Sequence, residues 1–209
     1  MDPLGVLLGR TRAQLLRLVR RRPASINELA AGVGITDNAV RGHVAAMERD
    51  GLLTEESQRA TGGKPARVYD LTQAGEELFP KAYSMVLHEL IATLVETEGE
   101  QEALAKLRET GRRLGAGRGR GGPLENRVAA AVTVLESLGG AIEVERNVEG
   151  IRLCSAGCPL SRVVSVSPEA CGLVEAMVAE IVGAPVREVC DRSGRPRCAF
   201  QVMATPDAA

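Results

Sequence analysis

Tryptophan is absent from this chain, and Tyr69, Tyr83, Phe79 and Phe200 are its only aromatic residues. That scarcity argues against a groove for single-stranded nucleic acid, which ordinarily stacks bases on aromatic platforms. It also predicts a core of Leu, Val, Ile and Ala. No apolar run approaches the roughly 18 residues that a membrane helix needs. No basic segment precedes the short apolar stretch near the start, so neither a membrane span nor a signal peptide is expected, and a cytoplasmic protein is the default. Histidine is limited to His43 and His88, neither near a cysteine in sequence. No nucleophile–base–acid set converges. The glycines at 115–121 lack both a preceding strand and the lysine–serine pair of a phosphate loop. An enzyme is therefore not expected. Strong net charge is missing too, at a formal −1.

What charge there is has been sorted along the chain. Residues 1–70 hold 11 Lys/Arg against 8 Asp/Glu, residues 71–111 hold 3 against 8, and residues 112–127 hold 5 against 1. The surplus of base lies at the N-terminus and in one short central stretch. An excess of three is modest, so motifs must carry any nucleic-acid reading.

The motifs are there. Thr11–Arg21 reads as a first helix with Ala13, Leu15, Leu16, Leu18 and Val19 as its apolar stripe, closed by Pro23. Ser25 followed three residues later by Glu28 has the spacing of a capping box and opens a short helix, Ile26–Ala31. The segment 32–35, Gly-Val-Gly-Ile, is a turn, after which Thr36 caps a third helix running Asp37–Asp50. Val40, Val44 and Met47 supply that helix's core face, while Asn38 and Arg41 point elsewhere near its start. Two short helices joined by a tight turn, the second presenting such residues, match a helix-turn-helix. Arg41 can bond guanine or phosphate in a bidentate fashion, and Asn38 has the chemistry for adenine. Two apolar segments then flank residues 55–65 as a hairpin with a glycine tip, on which Arg59, Lys64 and Arg67 ride as a phosphate clamp. The unit expected over residues 1–72 is a winged helix-turn-helix that binds double-stranded DNA.

The runs VRGHVAAMERDGLLTEE and GGKPARVYDLTQAGEELFP resemble the winged-helix repressors of the arsenic-repressor-like and related prokaryotic classes. The resemblance implies a DNA-backbone role for His43, which could equally be a partly buried helix residue. Beyond the wing, Thr72 is expected to cap a long helix with apolar residues from Leu78 to Leu94, followed by a second near residues 100–114. The stripe at Val86, Leu90 and Leu94 fits a dimerisation segment over 73–110, so a homodimer on an inverted-repeat operator is expected. Residues 111–123, glycine-rich with four arginines among 111–122, read as a mobile basic connector.

From residue 124 to 205 the pattern becomes that of a small α+β domain with an antiparallel sheet, so the chain as a whole is α+β. Its cysteines are Cys154, Cys158, Cys171, Cys190 and Cys198, all in the last 56 residues. An odd number without a secretion signal reads poorly as a disulfide framework. Their spacing matches neither a zinc ribbon nor a ferredoxin run, which leaves buried inert thiols, zinc and iron–sulfur all open. The segments NRVAAAVTVLESLGG and CPLSRVVSVSPEACGLVEAMVAEIVGAPVREVCDRSGRPRCAF resemble the C-terminal domain of the SUF-operon iron–sulfur regulators (SufR-type). That resemblance implies that Cys158, Cys171 and Cys198 hold an iron–sulfur cluster, of the 4Fe–4S kind. Cys154 or Cys190 could serve as fourth ligand, and the cluster would control operator binding, with repression the implied sign. The alternative is a winged-helix regulator whose C-terminal domain binds an organic effector or structural zinc.

Overall fold

Two units make up the chain in a computed structural model, residues 1–81 and residues 82–209; the residues described are 2–59, 65–119 and 121–203. The fold is α+β. Among the described residues no helix is long and apolar enough to cross a membrane.

In the first unit, α1 (Pro3–Leu8) and α2 (Arg10–Arg21) precede a two-residue strand, β1 (Ala24–Ser25), and α3 (Ile26–Val33). The expected capping box is present: the Ser25 hydroxyl accepts from the Glu28 amide, and the Glu28 carboxylate accepts from the Ser25 amide at 2.8 Å. Helix α3 runs two residues past its expected end. It stops where Gly34 takes a left-handed conformation with φ of 76°, a turn open to glycine at no steric cost. Thr36 then caps α4 (Asp37–Arg49) by accepting from the Ala39 amide. Strands β2 (Leu53–Arg59) and β3 (Ala66–Leu71) form the wing, and β3 sits between β1 and β2 in an antiparallel sheet. Leu15, Leu16 and Val19 from α2, Leu29 from α3, and Val40, Val44 and Met47 from α4 close one core.

The long helix expected after Thr72 is instead two. Thr72 caps α5 (Gln73–Glu77), and the next helix, α6 (Tyr83–Glu98), begins only after Pro80. Proline lacks an amide hydrogen and crowds the preceding backbone, so the chain cannot run through it as one helix without a kink.

In the second unit α6 is followed by α7 (Glu100–Gly115), α8 (Leu124–Ser137), β4 (Ile142–Asn147), β5 (Gly150–Ser155), a single turn α9 (Ser161–Val164), α10 (Ala170–Val182), β6 (Val186–Glu188) and β7 (Ala199–Met203). The sheet is antiparallel in the order β4-β5-β7-β6. Its inner face carries Ile151, Leu153, Phe200 and Val202, which pack with Val128, Ala131 and Leu135 of α8 and Met177, Val178 and Ile181 of α10.

The stretch read as a mobile connector differs at its start. Gly111 and Gly115 are the buried C-terminal members of a row on α7, with Ala103 and Leu107. A methyl on Gly111 would overlap the Leu173 carbonyl oxygen of α10; on Gly115 it would sit 2.7 Å from that of Met177, and on Gly119, 2.6 Å from that of Ile181. Four-residue spacing on one segment thus meets four-residue spacing on the other. These glycines bring α7 and the turn after it against the α10 backbone, a packing role that composition alone disguises as flexibility.

Candidate functional site

Helix α4 presents Thr36, Asn38 and Arg41 to solvent, while Val40, Val44 and Met47 anchor its opposite face. His43 is half-buried. Arg41 lines a surface cleft of about 550 Å³ with Gln58 of β2, Ala66 and Arg67 of β3, and Ser25 and Asn27 at the start of α3. Residues 26 apart in sequence, Arg41 and Arg67, therefore share one concavity. Arg67 is also engaged in the wing: its Nε lies 3.4 Å from the Glu55 carboxylate across the hairpin. Such an exposed pair is weak and can yield to phosphate. Arg59 ends β2; Lys64 and the glycine tip lie outside the described residues.

The cysteines separate into two sets by strand alternation. Leu153 and Ser155 of β5 are buried, so Cys154 between them faces the other side of the sheet. There its sulfur lies 3.6 Å from the Glu145 carboxylate, and burial and that negative charge push its thiol up from the usual range. On the inner side, Cys171 in the first turn of α10 meets Glu188 at the end of β6 and Cys190 two residues on. Their ligand atoms all lie within 4.8 Å of one another. The register that arranges this is Val186 opposite Val202 and Glu188 opposite Phe200.

The electrostatics of this cluster oppose ionisation of its thiols without a cation. A hydrogen bond with Cys190 raises the Cys171 pKa, burial adds to the rise, and Arg192 only partly offsets it. Cys190 is pushed up to about 12: its hydrogen bond with Cys171 favours the thiolate, but the neighbouring Cys198 thiol, burial and Glu188 together outweigh that. Arg192 pairs with the Glu188 carboxylate at 2.5 Å, and its own pKa is raised chiefly by Cys171.

This geometry overturns the expected iron–sulfur centre. Of Cys158, Cys171 and Cys198, only Cys171 belongs to the one group of potential metal ligands found among the described residues. The other two places are taken by Glu188 and Cys190. Three donors, one of them a carboxylate, suit a small zinc-like site; a four-iron cluster asks for four thiolates as a rule. Cys154 lies on the opposite face of the sheet from this group, whereas Cys190 is one of its three members. Glu188 was missed in the sequence, although its signal was there. Glu-x-Cys at the end of a strand puts both side chains on one face.

A family model described as a helix-turn-helix domain matches residues 7–56. It speaks for a DNA-binding module of general type, and it does not single out the arsenic-repressor-like or SUF-regulator classes. No curated protein matches the chain. Among solved structures, a Lactococcus lactis ZitR carrying one cysteine-to-serine substitution is 21% identical, over 46% of this chain and 67% of its own, with a TM-score of 0.29. Bacillus subtilis PadR in complex with operator DNA is 14% identical, over 88% of this chain and 99% of its own, with a TM-score of 0.30.

Proposed function

We propose that this winged helix-turn-helix chain is a sequence-specific regulator that binds double-stranded DNA as a homodimer on an inverted repeat, and that its C-terminal unit holds a small zinc-type metal site. The observation that carries the DNA reading is the cleft shared by Arg41 of α4 and Arg67 of the wing. A helix that offers Asn38 and Arg41 to base edges while a basic strand edge reaches phosphate is the division of labour that specific recognition needs. The basic surplus of residues 1–70 supports the same surface.

Dimerisation is supported by α6, where Tyr83, Met85, Val86 and Leu90 are all more than half exposed. Apolar side chains in a row on one helix mark an interaction surface more often than a solvated face. Cys171, Glu188 and Cys190 would hold the metal, tying the start of α10 to the end of β6; Cys198 beside Cys190 is the available fourth donor. Zinc fits thiolate and carboxylate donors and would stabilise the two thiolates that their surroundings otherwise disfavour.

The test is operator selection from a random duplex pool, followed by anisotropy titration at one fixed salt concentration. Replacing Arg41 by Ala should weaken the selected site about 5- to 150-fold, the range for one good bidentate contact, while binding to random duplex changes less. Equal affinity of R41A and parent, with folding intact, would remove α4 from the interface.

A further inference from the structure

The second unit contains a cavity of about 350 Å³ that DNA binding does not use; it adjoins the proposed metal site, since Cys158, Cys171 and Cys198 line part of its wall. Its walls are Leu135 of α8, Leu153 and Phe200 of the sheet, and Val174 and Met177 of α10, with Leu87 of α6 also contributing. Close-packed interiors keep few voids larger than a water molecule. A preformed apolar space of this size falls instead in the range of small-molecule sites.

The polar groups around it decide what such a molecule must carry. Two serines and the thiols of Cys158, Cys171 and Cys198 line the space, all neutral groups that can offer no charge to a ligand. Ser137 donates to the Val134 carbonyl at 2.7 Å, and Ser155 accepts from the Ala141 amide at 3.2 Å. Arg118 is the one charged residue of the lining. It is exposed, and no carboxylate pairs with it among the described residues. Leu114 and Leu138, both in the lining, are 44% and 51% exposed, so an apolar rim adjoins the guanidinium.

We infer that the cavity binds an amphipathic monocarboxylate, a medium-chain fatty acid in kind, with its tail among Leu135, Val174, Met177 and Phe200 and its carboxylate on Arg118. A planar guanidinium matches a carboxylate in a paired, two-bond geometry, and an acyl tail needs no polar partner from the walls. The inference goes beyond the regulator reading and does not depend on it.

The experiment titrates the full-length chain by calorimetry with decanoate, and separately with the neutral 1-decanol, both below their aggregation limits. Decanoate should bind saturably at one per chain and at least about tenfold more tightly than decanol, as expected of a charge-assisted pair. Arg118→Gln should erase that difference by weakening decanoate alone. Val174→Phe, which narrows the cavity, should weaken both. Should V174F fail to fold by circular dichroism, R118Q decides alone, since an exposed side chain can be replaced without disturbing the core. No saturable binding of either compound overturns the proposal. So does an unchanged decanoate preference in R118Q, or unchanged affinities in a folded V174F. No DNA is present, so the regulator reading survives any of these results.

Discussion

Replacing Gly111 by Ala tests whether the glycines of α7 are packing residues, because two opposing effects can be weighed from the structure. In a helix interior, Ala is favoured over Gly by about 0.5–1 kcal/mol, so a solvated, flexible glycine would gain stability. At Gly111 the new methyl would overlap the Leu173 carbonyl and crowd the Met177 amide nitrogen at 3.0 Å. Both are backbone atoms of α10 and cannot rotate away. Relief requires α7 to draw back by about 1 Å, which forfeits a quarter to a half of the dispersion along that seam. Overpacking of this kind costs roughly 1–3 kcal/mol and occasionally more; taking the upper end, because the obstacle is backbone, the net loss after the helix-propensity gain is about 2 kcal/mol. For a unit of this size that corresponds to a fall in Tm of roughly 6–10 °C. Gly42 in α4 provides the opposite case: a methyl there meets nothing within 4 Å, so Gly42→Ala should stabilise by about 0.5–1 kcal/mol. Thermal melts of the full chain followed at 222 nm compare the two, with separate transitions fitted if the units melt apart. A G111A protein that melts at or above the parent would refute the seam, and with it the claim that these glycines bring α7 against α10.

The capping box should make α3 acid-sensitive. Glu28 is held down at about 2, first by the Ser25 amide and then by Arg22, against an ordinary value near 4.5 for the unfolded chain. Its contribution is therefore present above about pH 4.5 and lost as pH falls toward 2; discounted for solvent screening it is about 1 kcal/mol, and a Glu28→Gln protein whose stability has the same acid slope as the parent would contradict it. The metal site predicts one zinc per chain by elemental analysis, lost in Cys190→Ala and retained in Cys154→Ala. Loading should release protons and weaken in acid, because both inner thiols begin protonated; equal zinc in both variants would place the site elsewhere. Charge at the α6 stripe, as Val86→Glu with Leu90→Glu, should leave each unit folded but yield monomers by sedimentation at operator-binding concentrations. An unchanged sedimentation profile would move the dimer contact off α6.

The helix-turn-helix unit was legible because its signals are local. Ser25 and Glu28 are three residues apart, Thr36 stands directly before the helix it caps, and Val40, Val44 and Met47 keep helical spacing. Each can be recognised from residues one helical turn away; the structure adds α1, the two-residue strand β1 and a slight lengthening of α3. Pro80 was equally visible, but a continuous apolar pattern on either side of it outweighed the break in the sequence reading.

The cysteine cluster was not legible in the same way. Spacing left the alternatives open and only the resemblance pointed to Cys158, Cys171 and Cys198, yet which thiols meet depends on two long-range choices. One is the pairing of β6 with β7, which aims Glu188 and Cys190 inward. The other is the placement of α10 so that its first turn delivers Cys171 to that edge. A shift of one residue in the strand register would have turned Glu188 and Cys190 to the opposite face. The glycines at 111, 115 and 119 were hidden for a related reason: a glycine required by close approach looks in sequence like a glycine permitted by disorder. By itself, then, the sequence determined most of the elements, the caps at Ser25, Thr36 and Thr72, and the helix-turn-helix, whose causes lie within a few residues of one another. Only tertiary structure decided which thiols share a site, where α7 meets α10 and where the apolar cavity lies, because those follow from register and packing between segments that are distant in the chain.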